Sequence, residues 1–333
     1  MSPLLSSAVP PQWAGEHGSE LARLTAQQAR VGIDDPATRD VDPLVPFSAW
    51  FGTGDRRTKP AMSPSFGGFH PRRVRVFRPS SGPRRLKIDR SRFADELRVA
   101  YTTDGERTTV VTPERFGLDL LPELLSMREF ARRLTQQNKP VAAWVHTVGH
   151  HVGAESHLER TCMLVADFHP AVHLISGQPF TLLWPSSGPL RTHTPDLMLR
   201  GPSNAPLIVD VRTPLEAADD DWVRKVPAIA DAVRALGMGY VIWTGMSGPF
   251  RRNLENFTEA RVPAVSYEGW SRVALDLCDE ALPAMELADR LDASGYQRLW
   301  SLTLIRRMLW RHALATDMFS PFSRTARVWP NNA

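Results

Sequence analysis

Between Glu155 and Pro214 the chain carries residue types able to hydrolyse a phosphodiester: carboxylates to hold a hard cation and an arginine to hold a phosphate. The run AESHLERTCMLVADF has apolar residues at helical spacing and sets Glu155 and Glu159 four apart, on one helix face. A Thr-Pro-Asp corner ends in Asp196, just before the extended segment LMLR. In LIVDVR, Asp210 and Arg212 share one face of an expected strand, while Val209 and Val211 face the other way. LIVDVR otherwise reads as an apolar central strand, where an unpartnered carboxylate is costly. Such a set suits Mg²⁺, with Mn²⁺ as a substitute, because that ion takes one or two carboxylates plus waters and a substrate phosphate. The ion activates the attacking water, and a nearby side-chain cation stabilises charge at phosphorus.

The order Glu…Pro-Asp…Asp-X-Arg resembles the PD-(D/E)XK nuclease signature. Around it stand Glu155-Ser156-X-Leu158-Glu159, Ala166-Asp167-Phe168, Gln178-Pro179-Phe180, His193-Thr194-Pro195-Asp196 and Val209-Asp210-Val211, in that order. Together they resemble the TnsA-type endonuclease subunit of heteromeric transposases, over roughly residues 126–257 and thinly elsewhere. The resemblance implies an α/β, restriction-endonuclease-like mixed-sheet nuclease core that cuts the 5′ strands at transposon ends in double-stranded DNA. It also implies a TnsB-type transposase and a TnsC-type ATPase as partners. On that footing Glu159, Asp196, Asp210, Arg212 and Gln178 are the catalytic residues, and Glu159, Asp196, Asp210 and Val211 hold the metal. Glu155, Lys225 and His193 stand in reserve.

Arg212 departs from the family pattern, which has lysine there. A guanidinium stays protonated at any working pH, so it stabilises phosphate charge but accepts protons poorly. Only four of the 40 basic residues are lysines, Lys59, Lys87, Lys139 and Lys225, so the replacement also fits a general preference for arginine. Three readings stay open: Arg212 does the lysine's electrostatic work, Lys225 reaches in from the following helix, or the subunit is a weakened nuclease. The last makes it a DNA-binding scaffold of the same complex; a free-standing restriction or repair endonuclease is a further alternative.

The elements that must position these residues divide the 333-residue chain into four parts. Residues 1–45 are rich in Pro, Ser and Ala and read as a flexible arm with one short helix at Ser19–Val31. Residues 46–125 read as a basic, β-containing accessory module with the pieces FSAWFG, RRVRVFRP, LRVAYTT and RTTVVTP, followed by a helical stretch over 113–135. Its cluster Arg72, Arg73, Arg75, Arg84, Arg85 and Lys87 forms an expected phosphate-tracking surface, although a charged strand edge that resists aggregation has the same composition. Residues 126–258 form the nuclease core, with a helix after Pro214 and a strand GYVIWT, and Arg251 and Arg252 follow as candidate phosphate clamps. Residues 259–333 read as three helices and a hairpin, a winged-helix-like module with Arg306 and Arg307 on its recognition helix and Trp300 and Trp310 in its core.

His146, His150, His151 and His157 lack the cysteine or carboxylate spacing of a zinc site. The net charge of +4 and calculated pI of about 9.4 fit a nucleic-acid partner. No apolar run approaches the ~20 residues of a membrane span, and the start lacks the pattern of a signal peptide. Cys162 and Cys278 are solitary, so a cytoplasmic, nucleoid-associated protein without membrane or small-molecule partners is expected.

Overall fold

The computed structural model describes residues 42–53, 96–128, 141–201, 205–260, 262 and 264–331. The basic cluster Arg72 to Lys87 and the arm helix expected at Ser19–Val31 lie outside the described residues. The fold is mixed α/β and divides into two compact units, one spanning Pro43–Gly245 and the other Met246–Ala333.

The first unit opens with helix α1 (Val45–Phe51), which the sequence had suggested as a β-like piece. Pro46 sits in its first turn and Gly52 ends it at φ 75, while Phe47, Trp50 and Phe51 fall at i, i+3 and i+4 and are buried. Strands β1 (Arg98–Tyr101) and β2 (Thr109–Val111) follow as expected. The stretch after Pro113 is not an α-helix but two 3₁₀ segments, Pro113–Arg115 and Leu118–Glu123. Gly117 separates them and Pro122 lacks the N–H that a continuing helix needs.

Next come the hairpin β3 (Val141–Val145) and β4 (His150–Ala154), helix α2 (His157–Phe168) packed on it, and strands β5 (Leu174–Gly177), β6 (Phe180–Leu183), β7 (Thr192–His193), β8 (Leu197–Arg200) and β9 (Leu207–Val211). Capping signals for one short and one long helix start the crossover. Thr213 and Glu216 form a capping box on α3 (Pro214–Ala217), and Asp219 caps α4 (Asp220–Ala235) by accepting from the Asp221 and Trp222 amides. Strand β10 (Gly239–Trp243) then returns parallel to β9.

Two sheets result, β2-β1-β6-β7, all antiparallel, and β10-β9-β8-β5, in which only the β9–β10 pair is parallel. Every residue of β9 and β10 is buried, as expected for a pair covered on both faces. Met198, Ile208, Tyr240 and Ile242 pack with Phe180, Leu182 and the α4 residues Ile229 and Val233. Gly239 is required where it stands, since a Cβ there would lie 2.5 Å from the ring of Trp50.

The second unit holds α5 (Gly248–Thr258), α6 (Ala264–Asp276), β11 (Leu282–Pro283), α7 (Ala284–Ala293), α8 (Arg298–Trp310), β12 (Leu314–Thr316) and β13 (Arg327–Pro330). Its sheet runs β11-β13-β12, antiparallel throughout. Helix α5 lies in this unit, ahead of the boundary expected after residue 258, because buried Asn253 bonds to the Met318 and Ser320 carbonyls and the Phe322 amide. Trp310 is in the core as expected, but Trp300 is 48% exposed. The inward stripe of α8 is Ser301, Leu304, Ile305 and Met308, and Trp300 falls off it.

Candidate active site

Register and capping bring the carboxylates together. Ser156 is the N-cap of α2 and accepts from the Glu159 amide at 3.1 Å, which fixes the first turn. The Glu159 carboxylate folds back over that turn, taking the Ser156 hydroxyl at 3.0 Å and the Glu155 amide at 2.8 Å. Glu159 therefore caps its helix and is buried as well. Burial, then the charge of Asp196, pushes its carboxyl up to about 8.

Leu197 pairs with Val209 across β8 and β9, which sets Asp196 at the end of β8 level with Asp210. The Asp196 Oδ2 accepts from the Val211 amide at 2.8 Å and from Arg212 Nη1 at 2.9 Å. Burial, then the Asp210 charge, raises its carboxyl to about 6 in spite of Arg212.

Asp210 is completely buried, on the same strand face as Ile208 and opposite Ile242, which places Tyr240 beside it. The Tyr240 hydroxyl donates to Asp210 Oδ2 at 2.5 Å. The His193 Nε2 lies 3.1 Å from Oδ1 and 2.8 Å from Oδ2. Burial alone would raise the Asp210 carboxyl, but His193, the Arg212 charge and the Tyr240 hydroxyl together outweigh it and hold it below its ordinary value. Removing the phenol by Tyr240→Phe strips one donor from a buried charge and is expected to destabilise the fold by roughly 1.5–3 kcal/mol. Urea unfolding of the two proteins measures this, and superimposable curves would show that the bond contributes nothing.

Arg212 leaves β9 and turns back, so that Nη1 also donates to the Val211 carbonyl at 2.6 Å. Its guanidinium lies over the Trp222 ring, 4.1 Å from the centroid. Desolvation works against its charge, but Asp210 and Asp196 overcome that and keep it protonated. Gln178 is fully buried in the left-handed region at φ 49, a conformation that costs a non-glycine residue on the order of 1 kcal/mol. Its backbone amide donates to the Asp196 carbonyl and its carbonyl accepts from Met127, while its side-chain Nε2 is buried without a hydrogen-bond partner.

Glu159, Asp196, Asp210 and Arg212 thus lie close enough to act on one another's charge, and Gln178 reaches them through its backbone bond to Asp196. Several expectations are corrected by the geometry. The Val211 carbonyl faces Arg212 rather than an open position, and both Asp210 oxygens are taken by His193 and Tyr240. Lys225 does not reach in; it is exposed on α4. Glu155 pairs with Arg128 at 2.9 Å, and His193 holds Asp210. Of the candidate DNA contacts, Arg251 and Arg252 are exposed on α5, Arg306 is half-buried, and Arg307 is buried with its back to solvent because it sits beside Met308 and Ile305 on the inner side of α8.

Tyr240 and Trp222 were missed. Tyr240 lies in an apolar run with no polar pattern to mark it, and Trp222 reads as an ordinary residue of an amphipathic helix. Among the described residues no group of three or more His, Cys, Asp or Glu side chains is arranged to hold a metal ion. Glu159 and Asp196 are nevertheless a hard-oxygen pair whose like charges a cation would relieve, and two carboxylates suffice for Mg²⁺. Among the described residues no helix is long and apolar enough to cross a membrane. No family model matches the sequence, and no curated protein matches it significantly.

Proposed function

We propose that this chain is the DNA endonuclease subunit of a TnsA-type heteromeric transposase, hydrolysing the 5′-strand phosphodiester at transposon ends beside a TnsB-type transposase and a TnsC-type ATPase. The observation that carries the reading is the convergence of Glu159 from a helix N-terminus, Asp196 and Asp210 from adjacent antiparallel strands, and Arg212 on one side of a mixed sheet. Glu159 and Asp196 would hold Mg²⁺, which supplies an activated water and neutralises charge at phosphorus. Asp210, braced by His193 and Tyr240, fixes the end of β9 and its charge holds Arg212 protonated. Arg212 offers its guanidinium to a phosphate oxygen, a planar donor matched to that group. Gln178 would act through its backbone, whose amide donates to the Asp196 carbonyl and so helps to place that carboxylate at the head of β8.

One observation favours the weakened, scaffold reading instead. Arg212 bonds to both Asp196 and the Val211 carbonyl, so this one cation already engages two of the four expected metal ligands. Nicking of transposon-end DNA, with the transposase partner and Mg²⁺ or Mn²⁺ present, separates the two. Wild-type nicking that falls by roughly a thousandfold or more in Asp196→Ala supports an active nuclease, a loss on the scale seen when a preorganised electrostatic group is removed. No nicking by the wild type, with activity gained in Arg212→Lys, supports the scaffold.

A further inference from the structure

Arg212 occupies an unusual position for a residue meant to meet substrate. Its Nη1 bridges Asp196 Oδ2 at 2.9 Å and the Val211 carbonyl at 2.6 Å, and both are oxygens that a metal ion would otherwise take. The guanidinium does not hang there by those bonds alone. Trp222, the third residue of α4, sets its ring under the guanidinium carbon at 4.1 Å from the centroid, and the same indole sits 6.0 Å from the His193 ring that holds Asp210. The Trp222 indole N–H is itself buried without a hydrogen-bond partner, so the ring is placed by packing on the core and on Arg212 rather than by a polar contact of its own. Arg212 itself keeps 24% of its side chain exposed, so an incoming group can reach it.

We infer that Arg212, clamped by Trp222, is an internal counter-ion that stands in the place of a divalent cation and competes with it for Asp196 and the Val211 carbonyl. The inference rests on the proposed metal-binding role of Glu159 and Asp196. A guanidinium is suited to this because it is always charged, weakly hydrated, and able to bond two oxygens while its face stacks on an aromatic ring. Lysine, a compact ammonium, cannot do both at once. A phosphodiester is the better partner for the fork, since its two oxygens accept in parallel. DNA entering the site therefore draws Arg212 from the carboxylate and frees those oxygens. Arg212 is the competing group, and Trp222 is a positioning residue that acts through it.

Binding of Mn²⁺ to the full chain without DNA, followed by the electron paramagnetic resonance signal of the free ion, tests this without any cleavage assay. Arg212→Gln is expected to bind Mn²⁺ about tenfold or more tightly than wild type, because one unit charge is taken from within a few ångströms of the ion. Trp222→Leu keeps the charge but releases the clamp, and is expected to give a smaller gain in the same direction. It sits on the partly exposed side of α4, which keeps the test open should Arg212→Gln fail to fold by circular dichroism. Binding that is equal in wild type, Arg212→Gln and Trp222→Leu, yet lost in Asp196→Asn, would overturn the counter-ion and leave the metal site standing. Binding indifferent to Asp196→Asn and Glu159→Gln, or absent from every variant, would overturn the metal site and the counter-ion with it.

Discussion

Replacing Asp210 with alanine is expected to lower the free energy of unfolding by about 3–5 kcal/mol, the loss found when one partner of a buried charge cluster is removed. The carboxylate is fully enclosed and accepts from the Tyr240 hydroxyl and His193 Nε2, so its removal leaves the buried phenol and the largely enclosed imidazole without their acceptor. It also withdraws the first of the charges that keep Arg212 protonated in its dry setting. Domains of ordinary stability have only ~5–15 kcal/mol to lose, so the variant should melt far below wild type. Asp210→Asn keeps an acceptor for Tyr240 and is expected to fall between the two. Chemical denaturation of the three proteins decides the matter. An alanine variant within about 0.5 kcal/mol of wild type, the range of an inconsequential surface change, would show that the His193–Asp210–Tyr240 cluster does not hold the sheet together.

Stability in the absence of divalent cation is expected to fall as pH rises from about 4.5 to about 8, through the titration of Glu159. In the unfolded chain this carboxyl loses its proton near 4.5, whereas in the fold burial and Asp196 delay the loss to about 8. Between those limits the folded state binds more protons, so the slope of stability against pH is negative, and the change across the window is on the order of a few kcal/mol. Asp196 adds in the same sense between 3.8 and about 6. Asp210 runs the other way: its carboxyl is depressed below 3.8, so its contribution is present above that value and lost in stronger acid. The fold should therefore be most stable in weak acid. Thermal melts of wild type and Glu159→Gln across this range, each with chelator or with Mg²⁺, measure the effect. Glu159→Gln should flatten the decline, and Mg²⁺ should restore wild-type stability most at the alkaline end, where the carboxylate it would bind is ionised. A wild-type profile parallel to that of Glu159→Gln would mean that Glu159 is not held protonated by its surroundings.

Much of the architecture was legible in one dimension because it depends on local signals. The apolar period over residues 157–168 announces α2, and the helix expected after Pro214 is present as α3 and α4. The unbroken apolar runs LIVDV and GYVIW announce covered strands, and Asp210 stands out within the first as a charge in need of partners. By the same local rules FSAWFG was misread: its aromatics fit a strand, but the Pro46 and Gly52 that bracket it and the burial of Trp50 against Gly239 make it a helix.

What the order of residues left undecided was every relation across space. Asp210 meets Tyr240 only because the α4 crossover returns β10 in parallel register, and no spacing rule links residues thirty positions apart. The left-handed turn at Gln178, the inward burial of Arg307 and the exposure of Lys225 follow from packing, which periodicity does not resolve at single residues. The identity of Arg212 was plain from the start, and the three readings open at that position were not separable there. A guanidinium's reach is long and its rotamers are many, so only the placement of Trp222 on one side and Asp196 on the other determines which oxygens it holds.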